Sequence, residues 1–324
     1  MSNVAHLLGD VRRIITHYHC PDGIFSALFL LDVMPGLPVQ FIQYNTPEHR
    51  FLKADPGMLF CDFTPYDSRV SEFVDSGAIV LDHHAKAKDI VGAFGDRGVF
   101  ADEHVEPEVS GAVLAFRHVW EPLKSQSVSG LAPDVIADLA RLAGIRDLWR
   151  RQHPDFEEAL ALNELMLQLP RDWLIEKGLA GVFSDSRFRS MARPYLEEQW
   201  RKVHKVIGEA LRMTTQGGTR VVIFEGTGHT TNAAEIIHED ADLVIGFRYT
   251  VERDPDGRSQ IKLICSTRSH TTFDCLGFCS QHAGGGGHLR AAGCEIHMPV
   301  DAPNPYQHIV LLIEQFERKQ LART

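Results

Sequence analysis

The chain has 324 residues, 44% of them hydrophobic, which is room for two domains with a core each. Asp plus Glu number 43 against 33 for Lys plus Arg, a net charge of −10 that argues against a sequence-independent grip on long duplex nucleic acid and leaves room for a short anionic ligand in a local basic pocket. No apolar run reaches the roughly 18 residues of a membrane span, the start M-S-N-V-A-H-L-L-G-D lacks a signal-peptide pattern, and the six cysteines form no CxxC pair; the expected setting is the cytoplasm, with free buried thiols.

In chain order, Val11 to Thr16, Pro38 to Tyr44, Met58 to Cys61 and Ala78 to Leu81 read as strands, and Ser26 to Met34 as a helix stopped by Pro35-Gly36. Strand-helix alternation implies a parallel sheet flanked by helices, and ligands of such sheets gather at the carboxyl ends of the strands. Asp134 to Ala143 reads as a further helix. Asp185 to Thr215 reads as a long charged helix interrupted by Pro194 and punctuated by Gln216-Gly217-Gly218, the pattern of a connector. Beyond it, Arg220 to Phe224, Asp242 to Val251 and Gln260 to Ser266 read as strands, with helices over Thr231 to His238 and Tyr306 to Gln320. The expected architecture is therefore α/β: a catalytic domain over 1–184, a helical linker over 185–216 and a smaller mixed α/β domain over 217–324.

The residues that follow the strands are the chemically active ones. The first strand runs into His17-Tyr18-His19-Cys20-Pro21-Asp22-Gly23, the third into Asp62 and the fourth into Asp82-His83-His84, while Asp147 follows a helix in G-I-R-D-L-W. Taken singly, Asp62 and Asp147 read as turn caps, and His17 or His19 as a core imidazole satisfied by a carbonyl. Taken as a set on one sheet edge, imidazoles and carboxylates suit Mn, Fe or Zn, and a pair of such ions suits phosphodiester or phosphoanhydride hydrolysis. In the second domain, Gly284-Gly-Gly-Gly-His-Leu-Arg-Ala-Ala-Gly293 exposes backbone N–H groups. It reads either as a flexible turn or as a phosphate cradle in which His288 to Ala292 opens a helix, with His288, Arg290 and Arg268 of S-T-R-S as further donors.

Together these residues resemble the DHH phosphoesterase family with its DHH-associated C-terminal domain, over nearly the whole chain. Asp82-His83-His84 is similar to the naming motif, H-Y-H-C-P-D-G-I-F-S-A to the first, C-D-F-T-P to the second and G-I-R-D-L-W to the fourth. S-T-R-S with G-G-G-G-H-L-R-A-A-G is similar to the substrate-binding motif of the associated domain. The resemblance implies two divalent ions, Mn first with Fe, Zn or Mg as alternatives. His17 and Asp22 would hold one ion, Asp62 would bridge, and His83 and Asp147 would hold the other. Asp82 would orient the neighbouring imidazole and His84 would face the scissile phosphate. Arg268, Gly285, Gly286, Gly287 and His288 would hold the rest of the substrate across the interdomain cleft. The first motif departs from the family's H-x-x-x-D-x-D or H-x-D-x-D, because only Asp22 is an aspartate. His19 is taken as the replacement ligand, which shifts metal preference towards Fe or Zn.

Of the activities the resemblance implies, the charge balance and the lack of an added single-strand-binding domain favour a nano-RNase-like phosphodiesterase that cuts short oligonucleotides or dinucleotides to mononucleotides. Adenosine 3',5'-bisphosphate phosphatase follows, and pyrophosphatase or polyphosphatase comes third. A nucleotide-binding regulatory protein without turnover is the non-enzymatic alternative. No membrane partner is expected, and a homodimer is compatible with the sequence.

Overall fold

Five short apolar segments of the first 100 residues become strands β1 (Arg13–His17), β2 (Val39–Ile42), β3 (Met58–Cys61), β4 (Ile79–Asp82) and β5 (Gly98–Phe100). In the computed structural model, which describes residues 4–18, 20–102, 105–106, 108–254, 256–302 and 304–322, they form one sheet in the order β2-β1-β3-β4-β5. Every neighbouring pair is parallel. Parallel pairing aims all five carboxyl ends at one edge, so the residues that follow β1, β3 and β4 converge there.

The reason these segments pair is burial on both faces. β3 (M-L-F-C) and β4 (I-V-L-D) are buried at every residue, as expected of central strands in a parallel sheet. One face carries a cluster of Ile15, Ile42, Met58, Phe60, Phe63, Phe73 and Val80. Helix α1 (Pro21–Val33), buried at all 13 positions, packs in the same domain beside α2 (Gly111–Ala115) and α3 (Pro133–Asp147). Such all-round burial explains why α1 has no polar stripe. At its start Pro21 occupies the first turn, and Cys20 accepts the Gly23 N–H through Sγ at 3.2 Å as the N-cap.

The chain divides into two compact units, Met1–Leu196 and Glu197–Thr324, the division falling inside helix α4 (Ala192–Gly208). The long helix expected over 185–215 is shorter than the sequence pattern suggests. Separate helical turns occupy Val182–Ser184 and Ser186–Ser190, α4 ends at Gly208, and Leu211–Thr214 is strand β6. Leu, Arg and Met are good helix formers, but pairing of β6 with β7 (Arg220–Glu225) overrides that local preference.

The second unit is a six-stranded mixed sheet, β10-β11-β9-β8-β7-β6, built further from β8 (Leu243–Arg253), β9 (Ser259–Ser269), β10 (Ala283–His288) and β11 (Ala291–Pro299). Only β7 and β8 pair in parallel; the other pairs are antiparallel. Helix α5 (Pro305–Leu321) packs Ile309, Ile313 and Phe316 against Leu243, Ile245, Phe247, Leu263 and Cys294. The α/β architecture, with a parallel sheet flanked by helices and a second, mixed domain, is as the sequence implies. One local expectation fails, since His288 to Ala292 opens no helix. The glycine run is strand β10, turning into β11 with His288 opposite Ala291. Among the described residues no helix is long and apolar enough to cross a membrane.

Candidate functional site

At the carboxyl edge of the first sheet, β1 delivers His17, β3 is followed by Asp62, and β4 ends in Asp82 with His83 and His84 after it. The amino end of α1 adds Cys20 and Asp22, and the carboxyl end of α3 adds Asp147. Asp62 adopts the left-handed region, φ +58°, a conformation that Asp tolerates better than most residues. His19 lies outside the described residues.

His83 is 1% exposed, and its Nε2 stands 3.3 Å from Asp62 Oδ1, 3.5 Å from Asp147 Oδ2 and 3.7 Å from Asp22 Oδ2. These separations exceed an N–H···O hydrogen bond of about 2.7–3.2 Å. One nitrogen facing three carboxylates is an arrangement of ligands around a common point. On its other oxygen Asp62 meets a different group. Oδ2 lies 3.8 Å from His17 Nδ1 and accepts from the Cys20 thiol at 3.5 Å, while Cys20 Sγ and His17 Nδ1 are 3.2 Å apart. Potential ligand atoms of His17, Cys20 and Asp62, and separately of Asp22, Asp62 and His83, all lie within 4.8 Å of one another. The two oxygens of Asp62 thus serve two donor groups.

The electrostatics fit a cation. Burial lifts Asp62 well above the usual carboxylate range, and Asp22 and Cys20 beside it push the same way. Asp22 is raised from 3.8 to about 6, first by burial and then by the negative Asp147, against the Ser110 hydroxyl and Ala112 N–H that pull it down. His17 is lowered to about 4 by burial and by neighbouring His84, which keeps the imidazole neutral and able to coordinate. Burial pushes Cys20 up to about 12, with Asp22 adding to it. Clustered carboxylates that resist ionisation alone, set among neutral imidazoles, are the donor set a divalent ion satisfies.

Asp82 behaves oppositely. Burial pushes its carboxyl up, but the His84 charge and hydrogen bond pull harder, and it ends below its ordinary value. Its Oδ1 accepts from His83 N at 2.6 Å and His84 N at 2.8 Å, and lies 2.7 Å from His84 Nδ1. A carboxylate at this distance favours the proton on Nδ1 of His84 and leaves Nε2 turned away from Asp82.

Residues that no sequence signal singled out complete the edge. Asp22 is clamped by Ser110 Oγ–H at 2.7 Å and by the N–H groups of Gly111 at 2.6 Å and Ala112 at 2.9 Å, at the start of α2. Gly111 is required by contact, because a Cβ there would lie 2.2 Å from Asp62 Cβ and 2.9 Å from Asp22 Oδ2. Tyr44, whose ring lies tilted at 4.4 Å from that of Phe63 and 5.4 Å from that of His17, donates its hydroxyl to Asp82 Oδ2 at 3.4 Å.

In the second unit, Val244, Arg268, Ala291 and His288 occupy one cross-strand row, on the face opposite the residues that meet α5. Arg268 and His288 therefore project from the same side of the sheet. Arg268 Nη1 donates to Thr267 O at 2.8 Å. The glycines of β10 have a packing role: a Cβ on Gly285 would sit 1.8 Å from Cys279 O, and Gly287 holds φ +128° with a Cβ position 2.5 Å from Ala291 O.

No protein-family model matches the chain, and no curated protein does. Solved structures do share its fold. A pGpG-specific phosphodiesterase from Vibrio cholerae is 14% identical, with a TM-score of 0.51 over 94% of this chain and 99% of that one. The DHH domain of a protein described as a member of a family of ribosomal proteins is 14% identical, with a TM-score of 0.53 over 97% of this chain and 87% of that one. The chain shares the DHH-type fold, with His17, Asp22, Asp62, Asp82, His83, His84 and Asp147 at one edge of the first sheet and Arg268 and His288 in the second unit.

Proposed function

We propose that the chain is a metal-dependent phosphodiesterase that hydrolyses short oligonucleotides or dinucleotides to mononucleotides. The observation that carries this reading is Asp62, with one oxygen facing His83 and the other facing His17 and Cys20. A carboxylate shared by two donor groups is what a pair of ions requires. His17, Asp22, Asp62, His83 and Asp147 hold the ions, and His19 is the further ligand expected from the sequence. When bound, two divalent ions supply a hydroxide near neutral pH and charge stabilisation for an attacked phosphoryl group.

The chain's own residues do the rest. Ser110 and the amides of Gly111 and Ala112 keep the Asp22 carboxylate fixed, so little reorganisation is needed as substrate arrives. Asp82 holds His84 in one tautomer, and His84, partly exposed, presents Nε2 to the scissile phosphate. Arg268, His288 and the amides of Gly285, Gly286 and Gly287 contribute phosphate binding, with Arg268 and His288 on one side of their sheet. The net charge of −10 favours a short substrate, and the dinucleotide named for the Vibrio structure is of that class.

The test is a panel of pApA, pGpG, a labelled five-nucleotide RNA, adenosine 3',5'-bisphosphate and pyrophosphate, incubated with purified protein and Mn or Zn. Stepwise release of mononucleotides is expected from the first three. Turnover confined to the bisphosphate or to pyrophosphate would replace the substrate class, and tight binding without any turnover would replace the enzyme.

A further inference from the structure

We propose that Cys20 is itself a metal ligand, completing a His17–Cys20–Asp62 site, and that its sulfur tunes this site to a thiophilic ion, zinc or ferrous iron, over manganese. The inference rests on the two-ion reading of the same edge and adds a donor that reading did not contain.

The geometry points to the sulfur. Cys20 Sγ lies 3.2 Å from His17 Nδ1 and 3.5 Å from Asp62 Oδ2, so three donors of three chemical types share one small volume. Cys20 also differs from the other five cysteines, all of which are buried, in being only partly covered. Helix capping does not account for it. Sγ accepts the Gly23 N–H at 3.2 Å, but Ser, Thr, Asp or Asn at an N-cap would accept that bond better. A residue that caps less well and faces an imidazole and a carboxylate has a second task that oxygen would perform differently. Thiolate, imidazole and carboxylate together favour zinc or iron, whereas sites of oxygen and nitrogen alone accommodate manganese. On binding, the S–H bond gives its proton to solvent and the sulfur lone pair forms the bond to the ion; no electron is transferred.

Cobalt(II) in place of the native ion tests this without measuring activity. The loaded wild-type protein is expected to show a near-ultraviolet sulfur-to-cobalt charge-transfer band beside the weaker visible bands of bound cobalt. Cys20→Ser keeps a capping oxygen and should lose the charge-transfer band, with zinc affinity falling by at least the roughly 10- to 100-fold typical of losing even an outer partner. Cys20→Asp should bind without the band and prefer manganese over zinc relative to wild type, whereas Cys61→Ala should keep the band. Visible bands without charge transfer in wild type, or a band that survives Cys20→Ser, would overturn the sulfur ligand and leave the two-ion reading intact. Failure of cobalt, zinc and manganese all to bind would overturn both.

Discussion

Asp22 provides the sharpest test of the electrostatics of the site, because its carboxyl is 2% exposed and raised from 3.8 to about 6. A raised folded-state pKa means that the native protein holds the proton more tightly than the unfolded chain. The resulting stability is complete below about 3.8 and is lost as pH rises through about 6. At about 1.4 kcal/mol per tenfold change in proton affinity, that loss is on the order of 3 kcal/mol. Chelator-treated wild type should therefore lose stability relative to Asp22→Asn as pH rises across this window. Asp62 acts in the same direction as Asp22, while His17, lowered from 6.5 to about 4, acts in the opposite one in both proteins, so the difference between the two proteins is what is read. In Asp22→Asn the Asp22 share of the dependence is removed. Its amide also places an NH2 either against the Gly111 N–H or against the Ser110 and Ala112 donors, at a cost of about 1–3 kcal/mol that does not vary with pH, so the slope is the informative quantity. Urea unfolding followed by tryptophan fluorescence between about pH 4 and about pH 7 reads it. Trp120, Trp149 and Trp173, three of the four tryptophans, lie in the first unit. Adding zinc or manganese near neutral pH should restore stability, by about 2.7 kcal/mol at a hundredfold excess over Kd. Parallel pH profiles for wild type and Asp22→Asn, within about 0.5 kcal/mol, would refute the reasoning.

Gly111→Ala places a methyl 2.2 Å from Asp62 Cβ and should cost about 1–3 kcal/mol while displacing the carboxylate. Metal analysis should then show fewer bound ions, and unchanged stoichiometry would show that the backbone yields there instead. Asp62→Asn should reduce turnover on every substrate by more than roughly 100-fold, beyond what loss of an outer partner costs, with metal content measured alongside. Selective loss on one substrate would count against a shared carboxylate. Arg268→Ala should raise KM for a phosphorylated dinucleotide and leave kcat nearly unchanged. A fall in kcat at constant KM would instead place Arg268 in the chemical step.

Much of this edge was readable from the sequence because a parallel sheet gives direction as well as burial. Once Met58 to Cys61 and Ala78 to Leu81 read as strands, Asp62 and Asp82-His83-His84 had to fall on the same rim as His17. What could not be read depends on contacts distant in sequence. Ser110 and Gly111 reach Asp22 across nearly ninety residues, and nothing in E-V-S-G-A-V announces it. Cys20 stood in plain view within H-Y-H-C-P-D-G but reads as an ordinary thiol until its sulfur is seen beside His17 and Asp62. The glycine run reads as a flexible turn or as a cradle leading into a helix, and not as the β10–β11 hairpin, because glycines offer no side-chain pattern. The approach of Cys279 O and Ala291 O, which excludes a Cβ, decides it. β5 is three residues long, too short for any periodicity to show.

Three aspartates on this edge are buried alike, so burial alone does not set their charge. Asp22 and Asp62 face other carboxylates and are pushed up, whereas Asp82 gathers the two amides of His83 and His84 and the His84 imidazole and is held down. Local donors, delivered by the tight turn after β4, outweigh desolvation at Asp82. At Asp22 three donors do not outweigh burial and the opposing Asp147. The consequence is a division of labour in time. Asp82 is an anion whether or not a cation is bound, so His84 is oriented in advance. Asp22 and Asp62 resist ionisation where no cation balances them, Asp22 up to about pH 6, so the charge of the proposed ligand cage depends on the ion more than the orientation of His84 does.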